Sequence, residues 1–175
     1  MHLPERSVRW LHRLLLRRIA GRKPDQIIGG EDNPYLIRWC LIRKNRWFNI
    51  YLHHTIRSDD DRALHDHPWH NVSLLLDGGY IEIMPAYPDT WPHSADLRHV
   101  SREVGALVLR RAVAAHRLAL WCDDEGIELP SWSLFITGPH LRRWGFWCFN
   151  GTSPRWVYWR NFTDDTGLGV GKGCG

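Results

Sequence analysis

Two histidines separated by a single residue, His65 and His67, are the clearest chemical signal in this sequence. They belong to the run His-Asp-His-Pro-Trp-His-Asn at positions 65–71, which stands between a charged turn and an apolar segment. Side chains two apart on a strand share a face, so both imidazoles should point to one side and Asp66 to the other. Two adjacent imidazoles bind a transition metal well once a third ligand joins them. With eleven histidines in the chain such a pair also arises by chance, so the third ligand decides.

A second stretch, residues 105–118, accompanies this pair. Together the two stretches resemble the paired motifs of the cupin family, G-x5-H-x-H-x3,4-E-x6-G and G-x5-P-x-G-x2-H-x3-N. His65 and His67 match the first motif, with Gly78 or Gly79 closing it. In the second motif, Gly105 and His116 stand at the required spacing.

The sequence also departs from these motifs. Asn71 occupies the place of the ligand glutamate, Arg111 and Val113 replace the turn proline and glycine, and Leu120 replaces the final asparagine. Residues 62–69, 138–139 and 144–146 are similar to a subgroup of small bacterial and phage cupins with an HDHPW motif. The resemblance covers roughly residues 34–162.

The resemblance implies a jelly-roll barrel (double-stranded β-helix) that binds one divalent transition metal through His65, His67 and His116. Strand parity places Asn71 on the same face as the histidine pair, so it is a further candidate ligand. Imidazoles suit several metals. The three-histidine cupins that oxygenate thiols and diketones use ferrous iron, so Fe(II) is favoured, with Zn, Ni or Mn as alternatives.

Three neutral imidazoles leave the charge of a divalent ion unbalanced, which favours a small anionic ligand at the open positions. The candidate substrate-binding residues are the cations Arg62, Arg110, Arg111 and Arg160, together with Trp69 on the inward face. Only one of the adjacent pair Arg110 and Arg111 can face the barrel interior. The candidates for a general base, on strands that could line the cavity, are Tyr80, Glu82 and Tyr158.

The elements that would position these residues are mostly strands. An apolar stripe predicts one amphipathic helix over residues 7–20, with Ser7 as its cap. Branched and aromatic residues predict many short strands, which indicates an all-β barrel. The predicted strands cover residues 35–42, 48–56, 69–76, 79–84, 106–110, 115–120, 131–136, 143–149 and 156–162. We therefore expect a helix and lead-in over residues 1–33, a cupin barrel over 34–163 and a flexible glycine-rich tail over 164–175.

Composition limits the alternatives. The chain of 175 residues has a net charge of +4 and a pI of about 9.1, with its basic residues spread along the sequence, so nucleic acid is a disfavoured partner. Four cysteines without C-x-x-C spacing predict free thiols and a cytoplasmic protein. We expect no membrane-spanning segment.

Two classes of function remain. The first is a metal-dependent enzyme acting on a small anionic molecule, with dioxygenase-like oxidation favoured and isomerisation next. The second is a non-catalytic cupin that binds a small ligand or serves in assembly, since a degenerate motif is typical of a lost active site. Nucleic-acid binding through arginine and tryptophan is the least favoured hypothesis. A homodimer is expected from the resemblance alone.

Overall fold

The computed structural model describes residues 1–59, 63–92, 96–149, 154–166 and 171–175. The helices within these residues are α1 (Glu5–Ile19) and α2 (Trp159–Phe162), with a short 3-10 turn at Pro88–Thr90. The strands are β1 (Gln26–Ile28), β2 (Leu36–Cys40), β3 (Asn49–Thr55), β4 (Leu64–His65), β5 (Asn71–Asp77), β6 (Tyr80–Pro85), β7 (Leu97–Arg102), β8 (Leu107–Arg110), β9 (Arg117–Leu120), β10 (Ser131–Thr137), β11 (Gly145–Phe149) and β12 (Pro154–Tyr158).

The strands form three antiparallel sheets. The large sheet has the order β1-β2-β3-β10-β5-β8, the small sheet the order β7-β6-β9 and the third sheet the order β12-β11-β4. From β3 onward the chain leaves and re-enters the large sheet repeatedly, so β5, β8 and β10 alternate with strands of the other two sheets. This alternation is typical of a jelly roll. The prediction of a mostly β barrel with an N-terminal helix is confirmed.

The small and third sheets meet at a seam formed by two of the predicted ligands. His65, the last residue of β4, and His116, directly before β9, form an isolated antiparallel bridge. Each donates its backbone N–H to the carbonyl of the other, at 2.9 and 3.0 Å. The seam therefore joins the third and small sheets into one wall of the barrel.

Helix α1 packs on the large sheet. Val8 and Ile19 are buried in a cluster with Leu52, Leu74 and Leu76, which lie on β3 and β5. Ile19 belongs to the apolar stripe that predicted the helix, and Leu11 and Leu15 of that stripe also pack against this cluster. Trp10, Leu14 and Leu16, which were counted in the same stripe, are exposed instead. The predicted start is wrong by two residues, because the helix begins at Glu5 after Pro4 and Ser7 lies inside it.

Strands β1, β4 and β7, the 3-10 turn and helix α2 were not predicted. The edge strand β7 is largely exposed and reads Leu-Arg-His-Val-Ser-Arg, so it lacks the alternation that marks a half-buried strand. Strand β1 is only three residues long, and it joins the large sheet from within the stretch predicted as lead-in. Residues 159–162 form helix α2 instead of continuing the predicted last strand.

The prediction of four free cysteines is wrong. Cys148 on β11 and Cys174 form a disulfide, while Cys40 and Cys122 are free. The pairing follows from the fold, which brings together two residues 26 apart in sequence. Of the predicted flexible tail, residues 167–170 lie outside the described residues. Residues 171–175 contact the body of the protein, since the backbone N–H groups of Gly171 and Gly173 both donate to the carbonyl of Phe162.

No helix in the described part of the chain has the length and apolar character needed to cross a bilayer.

Candidate metal centre and its cavity

The three predicted histidines lie together. One ligand nitrogen from each of His65, His67 and His116 falls within 4.8 Å of the others. The Nε2 atoms of His67 and His116 are 2.9 Å apart, whereas two nitrogens that each lie about 2.1 Å from one tetrahedral ion are roughly 3.4 Å apart. The chain thus brings together in one small cluster three imidazole donors, a ligand type that transition-metal ions prefer.

Backbone hydrogen bonds hold the three rings in place. The seam fixes His65 against His116, and the His67 N–H donates to the carbonyl of Ala112 at 3.0 Å. Asp66 points the other way, as predicted from strand parity. Its buried carboxylate accepts hydrogen bonds from the Gly145 backbone N–H at 2.9 Å and from the indole Nε1 of Trp156 at 3.0 Å. Asp66 therefore fixes the backbone between His65 and His67 through hydrogen bonds on the side opposite to the two imidazoles.

Carboxylates stand behind two of the imidazoles. Glu82 Oε1 is 3.2 Å from Nδ1 of His116, and Asp59 Oδ2 is 3.9 Å from Nδ1 of His65. In metal sites a carboxylate behind a ligating histidine fixes the orientation of the ring and increases its basicity. This arrangement leaves Nε2 of His116, which already faces His67, as the nitrogen available to an ion.

Glu82 is fully buried and makes two ion pairs with guanidinium groups. Arg110 reaches Oε1 through Nε at 2.6 Å, and Arg102 reaches Oε2 through Nε at 2.8 Å. Burial alone would raise the pKa of the Glu82 carboxyl, but the contacts with His116, Arg110 and Arg102 outweigh it and lower the pKa below its ordinary value. Glu82 therefore carries a permanent negative charge at neutral pH.

Two of the candidate ligands are neutral at pH 7. Burial, followed by the neighbouring His116 and His65, lowers the pKa of His67 well below its usual range. Burial and the positive charge of Arg110 lower the pKa of His116 to about 4, although Glu82 acts in the opposite direction. A neutral imidazole offers its nitrogen lone pair to a metal without first losing a proton.

A cavity of about 390 Å³ lies beside the three histidines and is lined mainly by apolar surface. Its aromatic lining comprises Tyr35, Trp69, Tyr80, Phe135, Trp144, Phe146, Trp159 and Phe162. The cations that line it are Arg38, Arg57 and Arg110. Its volume lies within the range of about 300–1,000 Å³ that small-molecule sites span.

Of the four arginines predicted to bind an anion, the structure places one in the cavity lining. Arg110 lines the cavity, but its charge is paired with Glu82. Arg111 is exposed and lines a second, outer groove, so only one of this pair faces inward. Arg160 is exposed, with its guanidinium 5.3 Å from the centre of the Trp159 ring. Arg62 lies outside the described residues.

Of the other predicted site residues, some line the cavity and some do not. Trp69 and Tyr80 line the cavity, and burial raises the pKa of the Tyr80 hydroxyl. Tyr158 packs against Trp159 and does not line the cavity. Asn71 is buried on β5 and borders the outer groove. Its amide has no hydrogen-bond partner among the described residues.

Sequence reasoning missed two parts of the site. It did not single out Asp59, which follows β3 in a charged turn that resembles an ordinary solvated loop. It also missed Arg38, although a lone charge inside the apolar run Leu36-Ile37-Arg38-Trp39-Cys40 is an unusual feature for a strand. Of the neighbouring histidines, His53 lines the cavity, whereas His54 stacks on Trp132 at 4.0 Å.

No family model matches the chain, and no curated protein matches it in sequence. Among solved structures the chain is similar to Fe(II) HppE in complex with substrate, at 12% identity and a TM-score of 0.48, over 66% of this chain and 56% of that chain. It is also similar to a cupin superfamily protein from Desulfitobacterium hafniense, at 14% identity and a TM-score of 0.42, over 59% and 77% of the two chains.

A third similar structure is the DMSP lyase DddQ from Ruegeria pomeroyi, at 17% identity and a TM-score of 0.41, over 65% and 52% of the two chains. The matched region thus spans little more than half of the HppE and DddQ chains. Likeness at this level carries no information about the reaction of this protein. Its fold is a β barrel preceded by an N-terminal helix, with three clustered histidines beside an apolar cavity.

Proposed function

We propose that this protein is a cupin-type metalloenzyme that binds one divalent transition metal through His65, His67 and His116 and acts on a small anionic molecule. The observation that carries the proposal is the convergence of three imidazoles from two distant segments of the chain. His67 and His116 are neutral at pH 7, and His116 has the Glu82 carboxylate 3.2 Å behind its ring. Ferrous iron is favoured by the resemblance to three-histidine cupins.

A bound divalent metal would supply Lewis acidity and open coordination positions for an anionic ligand. The chain's own residues would orient and protect that ligand. Glu82 holds the His116 ring through Nδ1, and Arg102 and Arg110 hold Glu82 in turn. These three are positioning residues. Glu82 is therefore a poor general base, because two guanidinium groups already stabilise its negative charge.

Tyr80 is better suited to hold a proton near the ligand. Its hydroxyl lies in the cavity lining beside Arg110, and its raised pKa keeps the proton on Oη at neutral pH. A protonated phenol can donate a hydrogen bond to negative charge that develops on a bound molecule. The apolar lining limits the entry of water, which suits oxidation more than hydrolysis. We therefore favour a dioxygenase-like oxidation, with isomerisation second.

The alternative of a non-catalytic ligand-binding cupin has one observation in its favour. Asp59 and Glu82, the two carboxylates described next to the histidines, are both engaged: Asp59 Oδ2 accepts the backbone N–H of Leu118 at 2.6 Å, and Glu82 is paired with two arginines. Oxygen consumption by the metal-loaded protein on a panel of small carboxylates and thiols separates the two functions. Turnover supports the enzyme, and metal binding without turnover of any panel member supports the alternative.

Metal content tests the centre directly. We expect about one transition-metal ion per chain in untagged wild-type protein and almost none in His67→Ala or His116→Ala, by elemental analysis after gel filtration. The matched control is His99→Ala, because His99 is an exposed histidine on β7. Unchanged metal content in both triad variants, with thermal unfolding showing that they remain folded, would remove the proposal.

A further inference from the structure

Arg38 is a cation in the cavity lining whose charge has no counterion in the described protein. It lies at the centre of β2 and lines the cavity together with the three histidines. Its Nε donates to Nε2 of His53 at 2.9 Å, and its Nη1 donates to Oε1 of Gln26 at 3.1 Å. Both partners are neutral acceptors, and no carboxylate of the described residues lies within ion-pair distance of Arg38.

Arg110 and Arg102, two other arginines near the histidines, differ in this respect. Arg110 and Arg102 both pair with Glu82, so their charges stabilise the protein itself. Burial disfavours the charge on Arg38 and lowers its pKa, although a guanidinium remains protonated at neutral pH. A buried cation without a counterion is costly, and a bound anion would offset that cost. The guanidinium also keeps its Nη2 donors without a protein partner among the described residues.

The contacts of Arg38 hold it in one position. His53 is 6% exposed and stacks on Phe135 with ring centres 4.8 Å apart. Burial and the adjacent guanidinium lower the pKa of His53 well below its usual range, so the imidazole is neutral and can accept from Arg38. Tyr51 lies below the guanidinium, with its ring centre 4.9 Å from Cζ. A side chain held in this way is ready to bind a planar anion without reorganising.

Arg38 lines the same cavity as the three histidines, and the rings of His53 and Phe135 connect it to His67. Phe135 contacts His53 on one side, and its ring centre is 6.2 Å from that of His67 on the other. The charge of Arg38 is close enough to contribute to the lowered pKa of His67. A molecule of one or two rings could therefore contact Arg38 with one end and lie beside the histidines with the other.

The rest of the lining is suited to a flat apolar body. Trp144 and Trp159 stack with ring centres 5.7 Å apart and an interplanar angle of 10°. Phe146 stacks on Phe162 at 3.8 Å and lies 6.1 Å from the ring of His65. Aromatic side chains favour offset or edge contacts with other rings, beyond the burial of apolar area. This group of rings would select against a small, fully polar anion.

Resting on the proposed metal centre, we propose that the natural ligand is an aromatic carboxylate of one or two rings. Its carboxylate binds Arg38, and its rings lie against the aromatic lining beside the three histidines. Arg38 is then the residue that selects a carboxylate, a role that Arg110, Arg111 and Arg160 do not fill.

The test is calorimetric titration of metal-free protein with three probes: 2-naphthoate, the neutral 2-naphthalenemethanol and acetate. We expect 2-naphthoate to bind at least about tenfold more tightly than either of the others, since only it offers both a carboxylate and rings. Arg38→Gln should abolish the preference for 2-naphthoate over the alcohol, and Arg38→Lys should restore part of it. The matched control, Arg43→Gln, changes an exposed arginine and should bind like the wild type.

Equal binding of 2-naphthoate and the alcohol to wild-type protein, no binding of 2-naphthoate, or an unchanged preference in Arg38→Gln would each overturn the inference. The comparison of the three probes on wild-type protein tests the inference even if a variant folds poorly. If the preference appears only in metal-loaded protein and survives Arg38→Gln, the carboxylate binds the metal and the inference fails while the metal centre stands. If the preference depends on Arg38 in a protein that never binds metal, the inference stands and the proposed metal centre fails.

Discussion

Glu82 is the residue on which the geometry of the candidate centre depends. Its carboxylate contacts the ring of His116 and the guanidinium groups of Arg102 and Arg110, and it is shielded from water. Buried charges are tolerated only when they are paired and hydrogen-bonded. The group of four residues is thus a unit, and the removal of its single negative charge should affect all the others.

We predict that Glu82→Gln destabilises the protein by about 3–5 kcal/mol, because the buried guanidinium of Arg110 and the partly exposed one of Arg102 lose their counterion. Metal affinity should fall by about 10–100-fold, because His116 loses the carboxylate behind its ring. Urea unfolding and metal titration measure the two effects. Glu125→Gln, at an exposed turn position, should change stability by less than about 0.5 kcal/mol. A large loss of stability with unchanged metal affinity would contradict the positioning role of Glu82.

Among the elements, helix α2 and the C-terminal residues form one side of the cavity. Trp159, Phe162 and Thr163 line the cavity, and the disulfide between Cys148 and Cys174 fastens the C-terminal residues beside them. Cys148 is fully buried in a cluster with Phe162 and Val157. The covalent link therefore supports an element that is only four residues long and could not be stable alone.

We predict that Cys174→Ser lowers the free energy of unfolding by roughly 3 kcal/mol, the chain-entropy value for a loop closed by residues 26 apart. Urea denaturation without reductant measures the loss. Cys122→Ser, which replaces an exposed free thiol, should behave like the wild type. Adding reductant should destabilise the wild type by the same amount and leave Cys174→Ser unchanged. Equal stability of the two variants would show that the link contributes nothing.

At the scale of the whole molecule, buried histidines couple stability to pH. Burial lowers the pKa of His12, His53 and His54 below the ordinary value of 6.5, and the same holds for His67 and His116 in the metal-free protein. Below pH 6.5 the unfolded chain therefore binds more protons than the folded one. Stability should be level above this pH and fall as the pH decreases below it.

We expect the free energy of unfolding of metal-free protein to be nearly constant from pH 8 to pH 7 and to fall by at least about 1 kcal/mol by pH 5. Urea denaturation at fixed ionic strength at each pH measures this. A constant free energy between pH 7.5 and pH 5 would show that these histidines are not buried as the structure places them.

The sequence predicted those features that rest on local pattern. Strand parity placed His65 and His67 on one face and Asp66 on the other, and an apolar stripe predicted helix α1 to within two residues at its start. The pairing of the charged residues around the cavity was not predictable in this way. Arg110 and Glu82 are 28 residues apart, so their pairing depends on how the sheets face each other. Arg38 was missed for the same reason, since only the folded chain shows that it has no counterion among the described residues.

The seam between the small and third sheets has a consequence for the behaviour of the whole barrel. His65 and His116 supply both the backbone bridge that closes this wall and two of the three nitrogens proposed to share an ion. Binding an ion and closing the wall are then one thermodynamic event, and each must favour the other to the same extent. Amide protons at the seam should exchange with solvent more slowly when the ion is present. Hydrogen exchange of these backbone amides would therefore report metal binding.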